Sequence, residues 1–181
     1  MYYLKLFDET LLTFDMNNEL GLEISNIKII SNEVSKYPVL LQKEVTNETL
    51  EAFLRTRVIP KNRWFVNEIL QSAGLNINDI KGIIDICKGL SLNDSYWIIE
   101  DENLKFEDYN LYDNNFSETL SLIAFTGYTS KIKGIITSPE LTTGGMLPKA
   151  WRRIDDKVYL YKGENMAFNI AEVVMQASTL K

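Results

Sequence analysis

The sequence predicts an α+β fold, and three observations predict it. Two short runs rich in aromatic and aliphatic residues, Tyr2–Phe7 and Thr10–Met16, flank Asp8-Glu9 and read as a β-hairpin. Between Thr46 and Gly89, apolar residues recur at helical spacing in three segments, each bounded by cap or breaker residues. Further along, a strand, a two-residue turn at Asp155-Asp156 and a second strand precede an amphipathic stretch over 167–177. The architecture expected is a small antiparallel sheet with packed helices, then a β-hairpin unit and a C-terminal helix.

The elements follow in order. LGLEISNIKII (Leu20–Ile30) alternates only in part, so a third strand is expected without a fixed register. Pro38 interrupts before Val39-Leu40-Leu41. Thr46-Asn47 caps a helix whose apolar positions are Leu50, Phe53 and Leu54. Pro60 separates it from a second helix over 61–73, with Trp64, Phe65, Ile69 and Leu70 on its apolar face and Gly74 as its C-terminal cap. A third helix begins at Asn78-Asp79, carries Ile80, Ile83, Ile84 and Ile86, and ends at Gly89. YWII (Tyr96–Ile99) is too short for a helix and reads as a buried strand. The acidic stretch 101–115 has no clear period and reads as an ordered surface loop, the seam between two parts. It lacks the Asp-x-Asp-x-Asp-Gly spacing of a calcium loop. Ser117 caps a further helix over 118–125, which Gly127 ends.

Composition narrows the function classes. The chain has no histidine, which removes Ser-His and Cys-His nucleophiles, histidine metal sites and histidine pH switching together. Its single cysteine, Cys87, suits a reducing cytoplasm and reads as a small buried apolar residue. A net charge of −6 works against a phosphate-backbone binder, so direct nucleic-acid binding is not expected. The opening MYYLKLFDET shows no basic n-region before an apolar h-region, and no run approaches the length of a membrane span. Neither a signal peptide nor a membrane partner is expected.

Four stretches resemble the HipA-like serine/threonine kinases, the toxin kinases of bacterial toxin–antitoxin modules, in a Firmicutes-type branch. They are RVIPKNRWFVNEIL (Arg57–Leu70), IKGIIDICKGLSLNDSYWI (Ile80–Ile98), FEDYNLYDNNFSETLSLIAFTGY (Phe106–Tyr128), and TSPELTTGGMLPKAWRR with VYLYKG (Thr137–Gly163). They stand in the family's order, and the likeness covers about two thirds of the chain. The resemblance implies an N-terminal subdomain over 1–115 and a truncated kinase N-lobe-like segment over 116–181, standing apart or joined in one compact unit. Carried over residue by residue, Thr142, Thr143, Gly144 and Gly145 match a phosphate-binding loop. Lys149 matches the lysine just beyond it, Lys162 the strand lysine that meets the α- and β-phosphates, and Glu172 the helix glutamate that pairs with such a lysine. Thr142 and Thr143 also match the hydroxyl that relatives autophosphorylate.

The departures from the family carry as much weight. A kinase needs an aspartate as base, and an asparagine and a second aspartate for Mg²⁺. After Lys162 there is no aspartate, and Asn165 and Asn169 lie too near that lysine to serve a C-lobe. The expectation is therefore no enzymatic activity, no metal and no cofactor, with ATP–Mg²⁺ binding at most on the order of millimolar. Without the resemblance, Gly144-Gly145 and Lys162 would be a plain hairpin with a solvated lysine, because two adjacent glycines are a weak pattern.

A second set of residues is a candidate for docking a partner: Arg55, Arg57, Lys61 and Arg63 around Pro60, and Arg152-Arg153 beside the loop. The plainer reading of the first four is solvated helix ends that complement a dipole. The function expected is a protein-binding module, an antitoxin or regulator of a separately encoded kinase core. Two alternatives stand beside it: an inhibitor from a phage or mobile element, such as an anti-CRISPR protein, that blocks a host or defence protein, and a fragment of an active kinase.

Overall fold

The computed structural model describes residues 1–19, 21–132 and 137–163, and the backbone of 175–176. Four strands make the first sheet: β1 (Tyr2–Leu6), β2 (Glu9–Asn17), β3 (Glu23–Ile29) and β4 (Tyr96–Ile99). Their order is β3-β2-β1-β4, every pair antiparallel. β4 arrives from far along the chain to complete the sheet beside β1, with Tyr3 opposite Ile99 and Lys5 opposite Trp97. β3 departs from simple alternation at Asn26, whose φ of +53° marks a bulge against β2. That bulge explains why its sequence gave no clean register.

Alternation along the strands gives the sheet two faces. Tyr2, Leu4, Leu12, Phe14 and Ile98 face α1 (Val39–Gln42), α2 (Asn47–Thr56) and α4 (Ile80–Cys87), which contribute Leu41, Leu50, Phe53, Leu54 and Ile84 to one core. Trp97 and Ile99 face the other way, onto Phe106, Leu111, Phe116 and Val158. A third core is built of helices: Ile69 and Leu70 of α3 (Val66–Ser72), Ile83 and Cys87 of α4, Leu120 and Ile123 of α6 (Glu118–Thr126), and Leu141.

The helix ends follow the local chemistry. α2 opens on a reciprocal capping box between Thr46 and Thr49. α4 is capped by Asp79 and α6 by Ser117, and Gly127 closes α6 at φ +71°. The helix expected over 61–73 begins only at Val66. Phe65 stands before it at φ +60°, and residues 60–65 instead turn Arg63 inward.

The stretch 101–115 is a loop that contains one helical turn, α5 (Phe106–Tyr109), with Phe106 buried against the sheet. The seam expected at 115/116 does not separate two cores. Leu120 packs with Ile83, and Val158 with Trp97, so both sides of that boundary share their interior. β5 (Lys149–Ile154) and β6 (Lys157–Lys162) form the expected hairpin. Asp155 and Asp156 both take positive φ, as a type I′ turn requires. A short β7 (Met175–Gln176) pairs with β6, so the helix expected over 167–177 does not hold at those two residues. The rest of that stretch, with Glu172, lies outside the described residues.

Candidate functional site

The loop 142–148 and the hairpin it leads into come together as the sequence suggests. Lys149 on β5 lies directly opposite Lys162 on β6, so both lysines stand side by side on one face. The chain then folds back over them. Lys149 Nζ donates to the Gly144 carbonyl at 2.7 Å, and its side chain is nearly buried. Gly145 has φ +87°, a left-handed backbone that strains any side chain, which is why this position favours glycine, and its α-carbon faces Lys149 Nζ. Trp151 seals the next layer, its indole N–H donating to Thr143 Oγ1 at 2.7 Å. Thr142 and Thr143 in turn bond back to the Pro139 carbonyl.

What fixes this loop is an ion pair that contains a residue from far upstream. Arg63 meets Glu140 at 2.8 Å, with both side chains 0% exposed. The guanidinium also donates to the carbonyls of Glu140, Thr143 and Lys149, and so holds both ends of the glycine loop from inside. The second Glu140 oxygen accepts the Trp151 N–H. Burial pushes the Glu140 carboxyl above its ordinary range, against the pull of Arg63 and of that N–H. Lys149 is held below the usual lysine range, first by burial, then by repulsion from Arg63 and Lys162, with Glu140 opposing.

Chemically, this arrangement differs from a phosphate cradle. A cradle turns backbone N–H groups toward the anion and leaves the lysine free to meet it. Here the loop offers Lys149 a carbonyl, and Lys149 donates to it; that bond does not involve Lys162, the strand lysine. Among the described residues, no group of three or more His, Cys, Asp or Glu is placed to hold a metal ion.

The basic residues expected to form a docking patch do not share a surface. Arg57 is buried and donates to the carbonyls of Gly89 and Tyr96, while its fork grips Asp94. Arg63 is interior, as described. Arg153 turns inward to the carbonyls of Leu111, Tyr112 and Asn114 and stacks on Phe116. These three are corrections to the docking reading: each guanidinium fork gathers backbone carbonyls that the fold would otherwise bury unpaired. Arg55, paired with Glu51 one helical turn away, and Lys61, bonded to Asn78, remain at the surface beside a polar cleft of about 800 Å³. Arg152 is half-buried at a smaller cleft with Glu118.

Sequence reasoning missed Glu140. Its signal was faint: one acidic residue in the turn Ser138-Pro139-Glu140-Leu141, where every neighbour is buried. Among the described residues no helix is long and apolar enough to cross a membrane. Comparison with protein-family models, with curated proteins and with solved structures finds no match.

Proposed function

We propose that this chain works by contact with another protein and not by turnover, as a module resembling the N-terminal part of a HipA-like kinase that restrains a separately encoded kinase core. One observation carries the non-catalytic half of the reading. The glycine loop and Lys149, the lysine just beyond it, are bonded to each other through Gly144 and pinned by Arg63, so this part of what the resemblance allots to nucleotide is engaged from within, while Lys162, its strand lysine, stands opposite Lys149. A phosphate would have to displace a carbonyl from a nearly buried ammonium and loosen a buried ion pair before Lys149 could meet it. Thr143 is likewise engaged, by Trp151, and not offered as an acceptor for phosphate.

A second reading, an inhibitor from a mobile element that blocks a host or defence protein, is favoured by the segregation of acidic residues described below. Both readings predict a stable protein complex and differ in its partner.

Co-expression with the product of the neighbouring gene, followed by size-exclusion chromatography, tests the first reading. A single peak containing both chains is expected. Two separate peaks at micromolar concentration would overturn it. Trp151 reports on the loop directly, so a titration with ATP–Mg²⁺ followed by its fluorescence should show no change up to several millimolar. A saturable change that disappears in Lys162→Ala would restore a working nucleotide site.

A further inference from the structure

The charge of this chain is unevenly distributed. Residues 94–118 hold eight carboxylates and one lysine, a net of −7, whereas the whole chain carries −6. Everything outside that segment therefore sums to +1. Of the eight, all but Asp94 are exposed, and none of those seven has an ion-pair partner among the described residues. Elsewhere several acids are paired: Glu9 and Glu33 share Lys36, Glu51 meets Arg55, and Asp85 meets Lys81.

Cations are present near the segment, but they serve its backbone and its rings. Lys5 donates to the Glu102 carbonyl, Arg153 to three carbonyls of 111–114, and Lys88 sits 5.1 Å over the Tyr109 ring. Only Arg57 spends itself on a carboxylate, that of Asp94. The fold thus secures this segment by its carbonyls and leaves its carboxylates facing outward.

Two of these carboxylates, Glu107 and Asp113, border a cleft of about 660 Å³ with aromatic walls: Phe7, Phe106 and Tyr112 line it, together with Asp8 and the Arg57-paired Asp94. Phe7 is 55% exposed, held against Phe106 edge to face. Aromatic faces next to unpaired carboxylates are the surroundings that a lysine or arginine side chain prefers. We infer that this cleft and its rim dock a basic, lysine- or arginine-bearing segment of a protein partner, a cationic side chain entering against Phe7 and Tyr112 while Glu107 and Asp113 take the flanking charges. The inference rests on the protein-binding reading and names the surface through which it acts. Unpaired like charges repel one another in the free protein, and a cationic partner relieves that repulsion on binding.

The probe is a short fluorescein-labelled peptide of arginine and lysine spaced by glycine and serine, followed by anisotropy against salt and by amide chemical shifts on labelled full-length protein. Shift changes are expected at Phe7, at Asp94-Ser95 and across 106–113. Neutralising the rim with Glu107→Gln and Asp113→Asn should weaken binding about tenfold and flatten its salt dependence. Phe7→Ser, which alters no charge, should weaken it about threefold with the salt dependence unchanged. Glu23→Gln, an exposed carboxylate on β3, should change nothing. All four positions are exposed, so folding is retained in each variant. Wild-type affinity in either the rim or the Phe7 variant, or shift changes spread over the other acidic residues, would overturn the inference. A partner that co-purifies and stays bound to the rim variant would also overturn it while leaving the protein-binding reading intact. Peptide binding confined to the cleft, with no complex with the kinase core, would remove only the kinase-core reading.

Discussion

Replacing Arg63 with methionine keeps much of the side chain's apolar length and removes its charge. The Glu140 carboxylate would then sit in the interior, 0% exposed, with the Trp151 N–H as its remaining strong donor. Removing one partner of a buried pair costs about 3–5 kcal/mol, and here three carbonyls lose their donor as well. That is a large share of the roughly 5–15 kcal/mol by which a domain is stable. For a chain of this length the melting temperature should fall by roughly 6–20 °C.

The loss has a pH signature whose sign can be worked out. Burial raises the Glu140 carboxyl above its ordinary value of 4.5, and Arg63 is the main opposing influence, so the substitution raises it further. A carboxyl raised in the folded state holds its proton where the unfolded chain has released it. Its contribution is complete below the unfolded value and is lost as pH rises through the folded one. The deficit of the variant relative to wild type should therefore be smallest at about pH 4 and grow toward neutrality. Urea unfolding followed by tryptophan fluorescence, extrapolated linearly at several pH values, measures this. Arg63→Met combined with Glu140→Met should recover most of the stability, because apolar replacement of both partners is often neutral. A neutral-pH deficit below about 1 kcal/mol, or one independent of pH, would refute the assigned role of this pair.

Other outcomes follow from the same contacts. Gly145→Ala should destabilise by about 1–2 kcal/mol because of its left-handed backbone, whereas Gly144→Ala, with nothing within 4 Å of the added carbon, should stay within about 0.5 kcal/mol; paired melting curves separate the two. Thr46→Ala breaks the capping box of α2 and should cost about 1 kcal/mol in urea unfolding. Burial pushes the Cys87 thiol up to about 12, so a thiol reagent at mildly alkaline pH should label it only after denaturant is added. Prompt labelling of the native protein would show that α4 opens.

The elements legible in the sequence were those whose local and long-range preferences agree. The N-terminal hairpin, the capped helix with Leu50, Phe53 and Leu54, the YWII strand and the Asp155-Asp156 hairpin carry both a period and a boundary residue. Trp64 and Phe65, at helical spacing with Ile69, predict a helix from residue 61, but the demands of the distant carbonyls on Arg63 outweigh that propensity over 61–65. For the candidate site, the nearness of the glycine loop to Lys149 and Lys162 was legible, since both follow from a hairpin. The inward turn of Arg57, Arg63 and Arg153 was not, because an arginine's choice between solvent and buried carbonyls is decided by tertiary structure alone. Nor could the cleft at Phe7 be read, since it joins residues about a hundred positions apart.

The position of β4 has a consequence on the ribosome. The meander of β1, β2 and β3 is complete once Ile29 has emerged, but β1 keeps one side open until Ile99 follows, 70 residues later. At synthesis rates of about 5–20 residues per second, that rim stays unsatisfied for roughly 4–14 s. During that interval nascent chains crowded on one message could zip together through β1, whose YYLKL sequence offers lysine alone as a deterrent. Slowing translation between Ile29 and Tyr96 should therefore lower the soluble yield, and shielding of that stretch by a chaperone should restore it.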